Sequence, residues 1–280
     1  MDKLLIVDGS NLLFQMFFGM PARIVNGEGK AIQGTLGFVG ALLKIIRKVE
    51  PTHILAIFDG QYENSRCEID ADYKANRMDY SMVNETENPF LQLPDVYKAL
   101  DYMGINYIET TDCEADDLIA GYALWFCDSA NIVICSFDSD FFQLISERIS
   151  VLRYRGEKTT VCSSDYIIEK YDIFPNQYAY FKSLVGDAAD NIKGAENIGI
   201  KTAASLLRTF GTLENIIRNA QAIEKPSVKK SIIENTDRIR RNYELIRLEK
   251  NQLLQYDKCD LEFIDVRKTT TEVLKGIGIK

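Results

Sequence analysis

Acidic residues recur at the ends of apolar runs in this chain. Asp8 follows Leu4-Leu5-Ile6-Val7, Asp59 follows Ile54 to Phe58, and Asp138 follows Ile132 to Phe137. If these runs are strands of one parallel sheet, the three acids converge at its carboxyl edge, where such sheets build ligand sites. Two further clusters, Glu114-Ala115-Asp116-Asp117 and Asp187-Ala188-Ala189-Asp190, can join them together with Asp140. Carboxylates gathered this densely repel one another and are costly to desolvate unless cations neutralise them. The chemistry this points to is a multi-metal site. The single histidine, His53, stands at the start of a predicted strand rather than at its carboxyl end, which sets aside a zinc site with His ligands and a His general base. All-oxygen ligation points to Mg²⁺ or Mn²⁺.

The elements that must position these acids follow from periodicity. Up to about residue 155 the chain alternates strand and helix patterns, which predicts a mostly parallel sheet covered on both faces. Strands are expected at 4–8, 53–59, 105–108 and 131–137, and helices at 34–48, 93–103, 114–127 and 141–146. Between Asp59 and Leu93 the pattern breaks into a polar, charged segment too long for an ordinary connection. It leaves directly from a site acid, so its Tyr73-Lys74-Ala75-Asn76-Arg77 stretch is expected over the carboxylates. Beyond about residue 163 the chain reads as mainly helical. Within it, a glycine-bearing turn from Gly194 to Gly199 opens a helix whose early residues include Lys201 and Thr202. Backbone amides, a hydroxyl and the helix dipole suit that position to hold a phosphate.

A length of 280 residues, 46% of them hydrophobic, permits one substantial core and a smaller appended module. The six cysteines show no CxxC spacing and read as reduced thiols of a cytoplasmic protein. No apolar stretch approaches the roughly 20 residues of a membrane span, and no signal peptide is visible. The net charge of −8 argues at first against a nucleic-acid partner. Placement matters more than the sum: divalent ions would offset the acids of the cleft, and the stretch from Lys193 to Lys250 is locally basic through Lys201, Arg208, Lys225, Lys229 and Arg241, among others.

Taken in order, Asp8-Gly9-Ser10-Asn11, Phe58-Asp59-Gly60, Tyr73-Lys74-Ala75-Asn76-Arg77, Glu114-Ala115-Asp116-Asp117, Asp138-Ser139-Asp140-Phe141-Phe142-Gln143-Leu144 and Leu184-Val185-Gly186-Asp187-Ala188-Ala189-Asp190-Asn191-Ile192 are collinear motifs. Together they closely resemble the bacterial 5′→3′ exonuclease and flap endonuclease family, which includes the amino-terminal nuclease domain of DNA polymerase I. The likeness runs from about residue 4 to 215. It implies a PIN-like α/β fold with a mostly parallel central sheet flanked by helices, a helical arch at about 61–92, and a helix-turn-helix-variant DNA-binding module at about 184–211. The division it suggests is 1–162 for the nuclease domain and 163–280 for the helical module.

Carried over by position, the resemblance places Asp8, Asp59, Glu114 and Asp116 in a first metal group with Asp117 beside them, and Asp138, Asp140, Asp187 and Asp190 in a second. Every acidic position of the pattern is filled, so an active enzyme is expected. Asp116 and Asp138, with Lys74 and Arg77 neutralising the scissile phosphate, are the expected catalytic residues, and hydrolysis by metal-activated water needs no protein nucleophile. Tyr73 is expected to stack on an unpaired base, Arg66 to contact DNA, and Gly194, Gly199, Lys201 and Thr202 to hold the duplex. K⁺ is expected at the carbonyls of Ile192, Ala195 and Ile198. The chain departs from the pattern at Lys193, Glu196 and Asn197, where relatives carry proline and glycine, and at Gln15, where many carry arginine.

The expected protein is a standalone, Mg²⁺-dependent, structure-specific 5′ nuclease of DNA replication and repair. It would act on branched or 5′-flap DNA, with RNA primer-DNA junctions compatible, as a monomer with no membrane association. A non-catalytic branched-DNA binding module and a metal-dependent endoribonuclease are the alternatives. Residues 252–280 carry no interpretable motif.

Overall fold

The computed structural model of the chain describes residues 1–60, 66–78, 80, 83–84, 87–249 and 251–279. Among them, six strands form the main sheet: β1 (Asp2–Asp8), β2 (His53–Phe58), β3 (Asn106–Glu109), β4 (Ala130–Cys135), β5 (Ile149–Arg153) and β6 (Thr160–Cys162). Their order is β3-β2-β1-β4-β5-β6, parallel throughout except for β6, which runs antiparallel at the edge. The chain leaves β1 toward β2 on one side and reaches β4 on the other. The crevice between the carboxyl ends of β1 and β4 is thus the switch point at which a sheet of this kind takes its ligands.

Side-chain alternation explains why the middle of β1, Leu4 to Val7, is apolar without a break. Leu5 and Val7 pack with Ile54 and Phe58 against α2 (Gln33–Val49), after α1 (Gly9–Gly19) has turned off the sheet. Leu4 and Ile6 face the other way, with Leu55 and Ile57, toward the residues that cover the second face. Between β2 and the next long helix lies the four-residue α3 (Arg66–Ile69). α4 (Leu93–Met103) starts with a proline in its first turn and stops at Gly104, which takes φ +70°. α5 (Ala115–Phe126) buries Leu118, Ile119 and Tyr122 against the Leu4 face.

After β6 the chain is mainly helical, through α6 (Ser164–Tyr171), α7 (Tyr178–Val185), the two-residue strands β7 (Gly186–Asp187) and β8 (Ile192–Lys193), α8 (Ile200–Phe210), α9 (Leu213–Arg218), α10 (Pro226–Glu234) and α11 (Thr236–Ile246). The core of this stretch is continuous with that of the α5 side of the sheet, since Phe181, Leu184, Ala203 and Leu207 belong to the same buried cluster as Ile119 and Ile134. Residues 252–279 then return to the sheet. The Phe263 amide donates to the Thr52 carbonyl at 2.8 Å, Lys258 pairs with Asp2 at 2.6 Å, and α12 (Thr270–Gly276) seats buried Val273 in the cluster shared by α2 and α4. This stretch, unreadable as a motif, is a strap across the amino-terminal side of the sheet.

Several elements differ from the sequence reading. α1 had no expected counterpart, because its start at Gly9-Ser10 looks like a loop; Asp8 caps it instead. β5 and β6 are short, with β6 at the sheet edge, and β7 and β8 form a hairpin inside a region read as helical. Of the expected arch at 61–92, residues 61–65, 79, 81, 82, 85 and 86 lie outside the described residues. The rest comprises α3, a run of turns over 71–76 and a 3₁₀ turn at Pro89–Gln92. Cys135 and Cys162 are buried, and all six thiols are free. Among the described residues no helix is long and apolar enough to cross a membrane.

Candidate active site

β1 ends at Asp8, whose carboxylate does two jobs at once. One oxygen accepts the Asn11 amide at 3.0 Å and caps α1; the other accepts the Ser136 hydroxyl at 2.7 Å from beyond β4. Ser136 Oγ in turn accepts the Asp138 amide at 3.0 Å, and Asn11 Oδ1 accepts the Phe137 amide at 3.1 Å. The ends of β1 and β4 are thereby tied together with Asp8 and Asp138 on the crevice. Asp59, just past β2, is held by its amide to Ser10 Oγ at 2.9 Å and by its carboxylate to the Ala115 amide at 3.1 Å. This docks the amino end of α5 beside β2 and brings Glu114 and Asp116 to the crevice. A negative side chain there is favoured by the helix dipole. Gly60 is required next, since a Cβ at that position would stand 1.8 Å from the Thr110 carbonyl oxygen.

These residues line one cleft of about 770 Å³. Asp8, Asp59, Glu114, Asp116 and Asp138 form its floor, Lys74 and Arg77 its basic side, and Phe14, Met78, Tyr80 and Phe90 an apolar wall. The ring of Phe14 packs edge-on against Tyr80 and Phe90, with centroids 5.3 and 5.1 Å away. The second acidic group lies beside it: Asp140, Asp187 and Asp190 each offer a carboxylate oxygen within 4.8 Å of the others. Asp138 links the two, accepting the Asp140 amide at 2.8 Å.

Electrostatics shows what this crowding costs. Burial first, then the charge of Asp59, pushes Asp8 from an ordinary 3.8 up to about 7. Burial and Asp138 raise Asp116 and Asp140 well above the carboxylate range, and burial raises Asp138. One oxygen of Asp140 is buried with no hydrogen-bond partner. An all-carboxylate set with raised proton affinity and an orphaned oxygen fits hard divalent cations, which take oxygen ligands. For stability the sign is definite. From about pH 4 to 7 the folded chain holds a proton on Asp8 that the unfolded chain has released, so stability falls as pH rises through that window. The expected result is a melting temperature in EDTA that drops between about pH 5 and pH 7.5, with millimolar Mn²⁺ reducing the drop. A melting temperature that climbs over that range in EDTA contradicts this account.

The basic residues are found close to the acids. Lys74 Nζ is 2.6 Å from Glu114, and Arg77 is 2.9 Å from Asp190. The Lys74 amide donates to the Asp190 carbonyl at 3.0 Å. Burial alone would lower the Lys74 ammonium, but Glu114 and Asp116 outweigh it and hold its pKa above the ordinary lysine value. Arg66 differs from its expected DNA contact. It is 6% exposed, with its guanidinium 2.5 Å from Glu114 and 2.8 Å from Asp117, so it braces acids rather than presenting charge to solvent. Asp117 is correspondingly occupied, accepting also the Glu249 amide at 2.8 Å. The stacking expected of Tyr73 is likewise not presented. Its ring is 5% exposed and packs with Ala179, Ile192 and Ile246, while Phe14, Tyr80 and Phe90 supply the aromatic surface in the cleft.

In the helical stretch after β6, Gly194 packs against backbone: a Cβ there would stand 2.3 Å from the Val185 carbonyl oxygen. Gly199 caps α8 with open space around it, and Lys201 and Thr202 follow in its first turn beside a groove. The Ala195 carbonyl accepts the Ile198 amide at 3.2 Å, and Ile192 and Ile198 are buried around the same turn. Asn197 takes φ +60°, which asparagine accommodates well. Gln15 points away from the cleft, donating to the Tyr154 carbonyl at 2.6 Å.

Ser136 and Lys182 complete the site without having been singled out in the sequence, and Ser10 and Asn11, named there only within a motif, hold the backbone of Asp59 and Phe137. The hydroxyls carried no readable signal. Lys182 did, as a lone cation inside the apolar α7 sequence.

Comparison with known proteins agrees with this geometry. A family model described as 5′-3′ exonuclease, N-terminal resolvase-like domain, matches residues 3–172, and one described as 5′-3′ exonuclease, C-terminal SAM fold, matches residues 173–269.

The chain belongs to the 5′-3′ exonuclease family.

Membership makes it a phosphodiester-hydrolysing nuclease. It is 30% identical over 266 residues to the 5′-3′ exonuclease of Aquifex aeolicus, covering 94% of this chain and 87% of that protein. It is 31% identical over 257 residues to the thermostable DNA polymerase I of Thermus thermophilus, covering 91% of this chain but 30% of the polymerase. Among solved structures, the bacteriophage T5 flap endonuclease in a complex with DNA and metal ions superposes with a TM-score of 0.71 at 22% identity, covering 87% of this chain and 88% of that one. The catalytic core of Rad2 with a DNA substrate gives 0.61 at 16% identity, covering 100% of this chain and 93% of that one. At these identities the two superpositions speak to the fold.

Proposed function

We propose that this chain is a Mg²⁺-dependent, structure-specific 5′ nuclease that cleaves 5′-flapped or branched DNA. The observation that carries the reading is the convergence of Asp8, Asp59, Glu114, Asp116 and Asp138 on the floor of one cleft, beneath Lys74 and Arg77. In this reading Asp8, Asp59, Glu114 and Asp116 hold one divalent ion, and Asp138, Asp140, Asp187 and Asp190 another. Asp117 supports them through Arg66. When bound, the ions supply an activated water and stabilise charge on the attacking and leaving oxygens.

The protein's own groups do the rest. Lys74 and Arg77 stand at the cleft and neutralise the phosphate being cut, while the buried Arg66 keeps Glu114 turned toward the crevice. The Phe14, Tyr80 and Phe90 wall takes an unpaired base by stacking, a contact that tolerates any sequence and so suits a nuclease that reads structure. The α8 turn with Gly199, Lys201 and Thr202 binds a duplex phosphate, with K⁺ at the carbonyls of Ile192, Ala195 and Ile198. Residues 1–162, with the 252–279 strap docked on their sheet, then act as the nuclease domain, and the helical stretch between them as the duplex-holding module. A role at RNA primer-DNA junctions in replication and repair, as a cytoplasmic monomer, belongs to the same reading.

Selectivity tests it. At limiting enzyme in Mg²⁺, a 5′-flap substrate should be cut at least about tenfold faster than a single strand of the same sequence, with the cut at the junction. Equal rates on both would leave a nuclease that does not read structure and would sink the proposal.

A further inference from the structure

Lys182 lies in none of the six motifs, yet α7 carries it into the second acidic group. It is 9% exposed. Its ammonium is ion-paired with Asp187, stands 3.8 Å from Asp140 Oδ1 and 3.5 Å from Ser139 Oγ. That Asp140 oxygen is the one with no hydrogen-bond partner, and Asp140 belongs with Asp187 and Asp190 to the trio whose ligand oxygens lie within 4.8 Å of one another.

Its helix and the acids it meets separate Lys182 from the other cations of the site. Arg77 comes from the turn-rich segment after α3 and its side chain is 54% exposed, so its charge can turn to a phosphate at little cost; Lys74 and the buried Arg66 are paired with Glu114, and Arg66 also with Asp117, so neither meets Asp140 or Asp187. Lys182 rises from a helix whose other residues Phe181, Ser183 and Leu184 are buried, and withdrawing it from the carboxylates would leave a buried charge unpaired. It therefore remains beside Asp140 and Asp187. A fixed positive charge there has opposite effects on two states. Without a divalent ion it offsets repulsion among the carboxylates and holds them in place. With one, it repels the incoming ion at short range and competes for the same oxygens.

We propose that Lys182 is a positioning residue: the built-in counter-ion of the Asp140, Asp187 and Asp190 group, which pre-assembles that group and sets its divalent-ion affinity low. The inference rests on reading these three acids as an ion-binding group. Its consequence is that the second group fills only at higher ion concentration than it would otherwise require, so occupancy responds to the ion level and to the added negative charge of a bound phosphate.

Melting of the full-length chain against Mn²⁺ concentration tests this, with wild type, Lys182→Met, Lys182→Gln, Lys182→Arg and Asp187→Asn side by side. The part of the Mn²⁺-dependent shift that Asp187→Asn removes belongs to the second group. For that part, Lys182→Met and Lys182→Gln should melt lower than wild type in EDTA and reach half-saturation at Mn²⁺ concentrations at least tenfold lower. Lys182→Arg, which keeps the charge, should stay within about threefold of wild type. A variant that folds only when Mn²⁺ is present supports the same conclusion. Equal destabilisation of the charge-removing variants with and without Mn²⁺, or half-saturation moving to higher concentration, would overturn the inference while leaving the ion group intact. A wild-type shift untouched by Asp187→Asn would overturn the ion group itself, and the inference with it.

Discussion

Replacing Asp116 by asparagine should lower single-turnover cleavage of a 5′-flap substrate by roughly 10³-fold, while flap binding measured in Ca²⁺ stays within a few-fold of wild type. The substitution keeps size and hydrogen-bonding capacity and removes the charge. Asp116 sits in the first turn of α5, where burial first, and then the charges of Asp138, Asp8 and Asp59, raise its proton affinity well above the usual range. A group under that much strain is retained for something that its charge does. Ion-dependent stabilisation of a developing phosphate charge is worth several kcal/mol, and each ~1.4 kcal/mol is a factor of ten in rate. Binding should survive because Lys74, Arg77, the aromatic wall and the α8 turn remain. Cleavage within tenfold of wild type would remove Asp116 from the catalytic set.

The second large effect is on stability. Arg66→Met should destabilise the metal-free protein by about 3–5 kcal/mol, the usual cost of removing one partner from a buried ion pair. At about 2–4 °C per kcal/mol for chains of this size, the melting temperature should fall by on the order of 10 °C. The reason is specific: Arg66 is the shared partner of buried Glu114 and Asp117, and it also donates to the Arg247 carbonyl at 3.2 Å, joining α3 to the end of α11. Adding Asp117→Asn to Arg66→Met should restore part of the loss, because one of the two stranded charges is then gone. Additive losses in the double variant would show that the pair does not interact as described.

The parts of this protein that were legible from sequence are those in which one residue type suffices to state a physical role. An acid at the end of an apolar run marks the carboxyl edge of a parallel sheet, and Asp8, Asp59 and Asp138 all lie there. Helices with a strong apolar stripe, such as α2 and α4, were readable to within a few residues. What escaped had its cause in tertiary partners. Asp8 looks like the end of a strand, but that it also caps α1 depends on Asn11 turning back on it. Tyr73 and Arg66 have the chemistry of nucleic-acid contacts, and only the neighbours that bury them, Ile246 on one side and Glu114 with Asp117 on the other, turn them into supports of the site. β5 and β6 are defined by pairing with their neighbours, β5 with β4 and β6 with β5, rather than by a pattern of their own. The strap over 252–279 is readable only from where it docks.

The role of the cleft is tested most directly by one experiment. A 5′-flap DNA, labelled at either end in separate preparations, is incubated with wild-type protein in Mg²⁺ or in EDTA, beside Asp116→Ala and Asp138→Ala. The account predicts a cut near the flap junction that leaves a 5′-phosphate and a 3′-hydroxyl, seen only with Mg²⁺ and lost in both variants. Cleavage that persists in EDTA, or tight binding of the flap with no cleavage at any Mg²⁺ concentration, would contradict it.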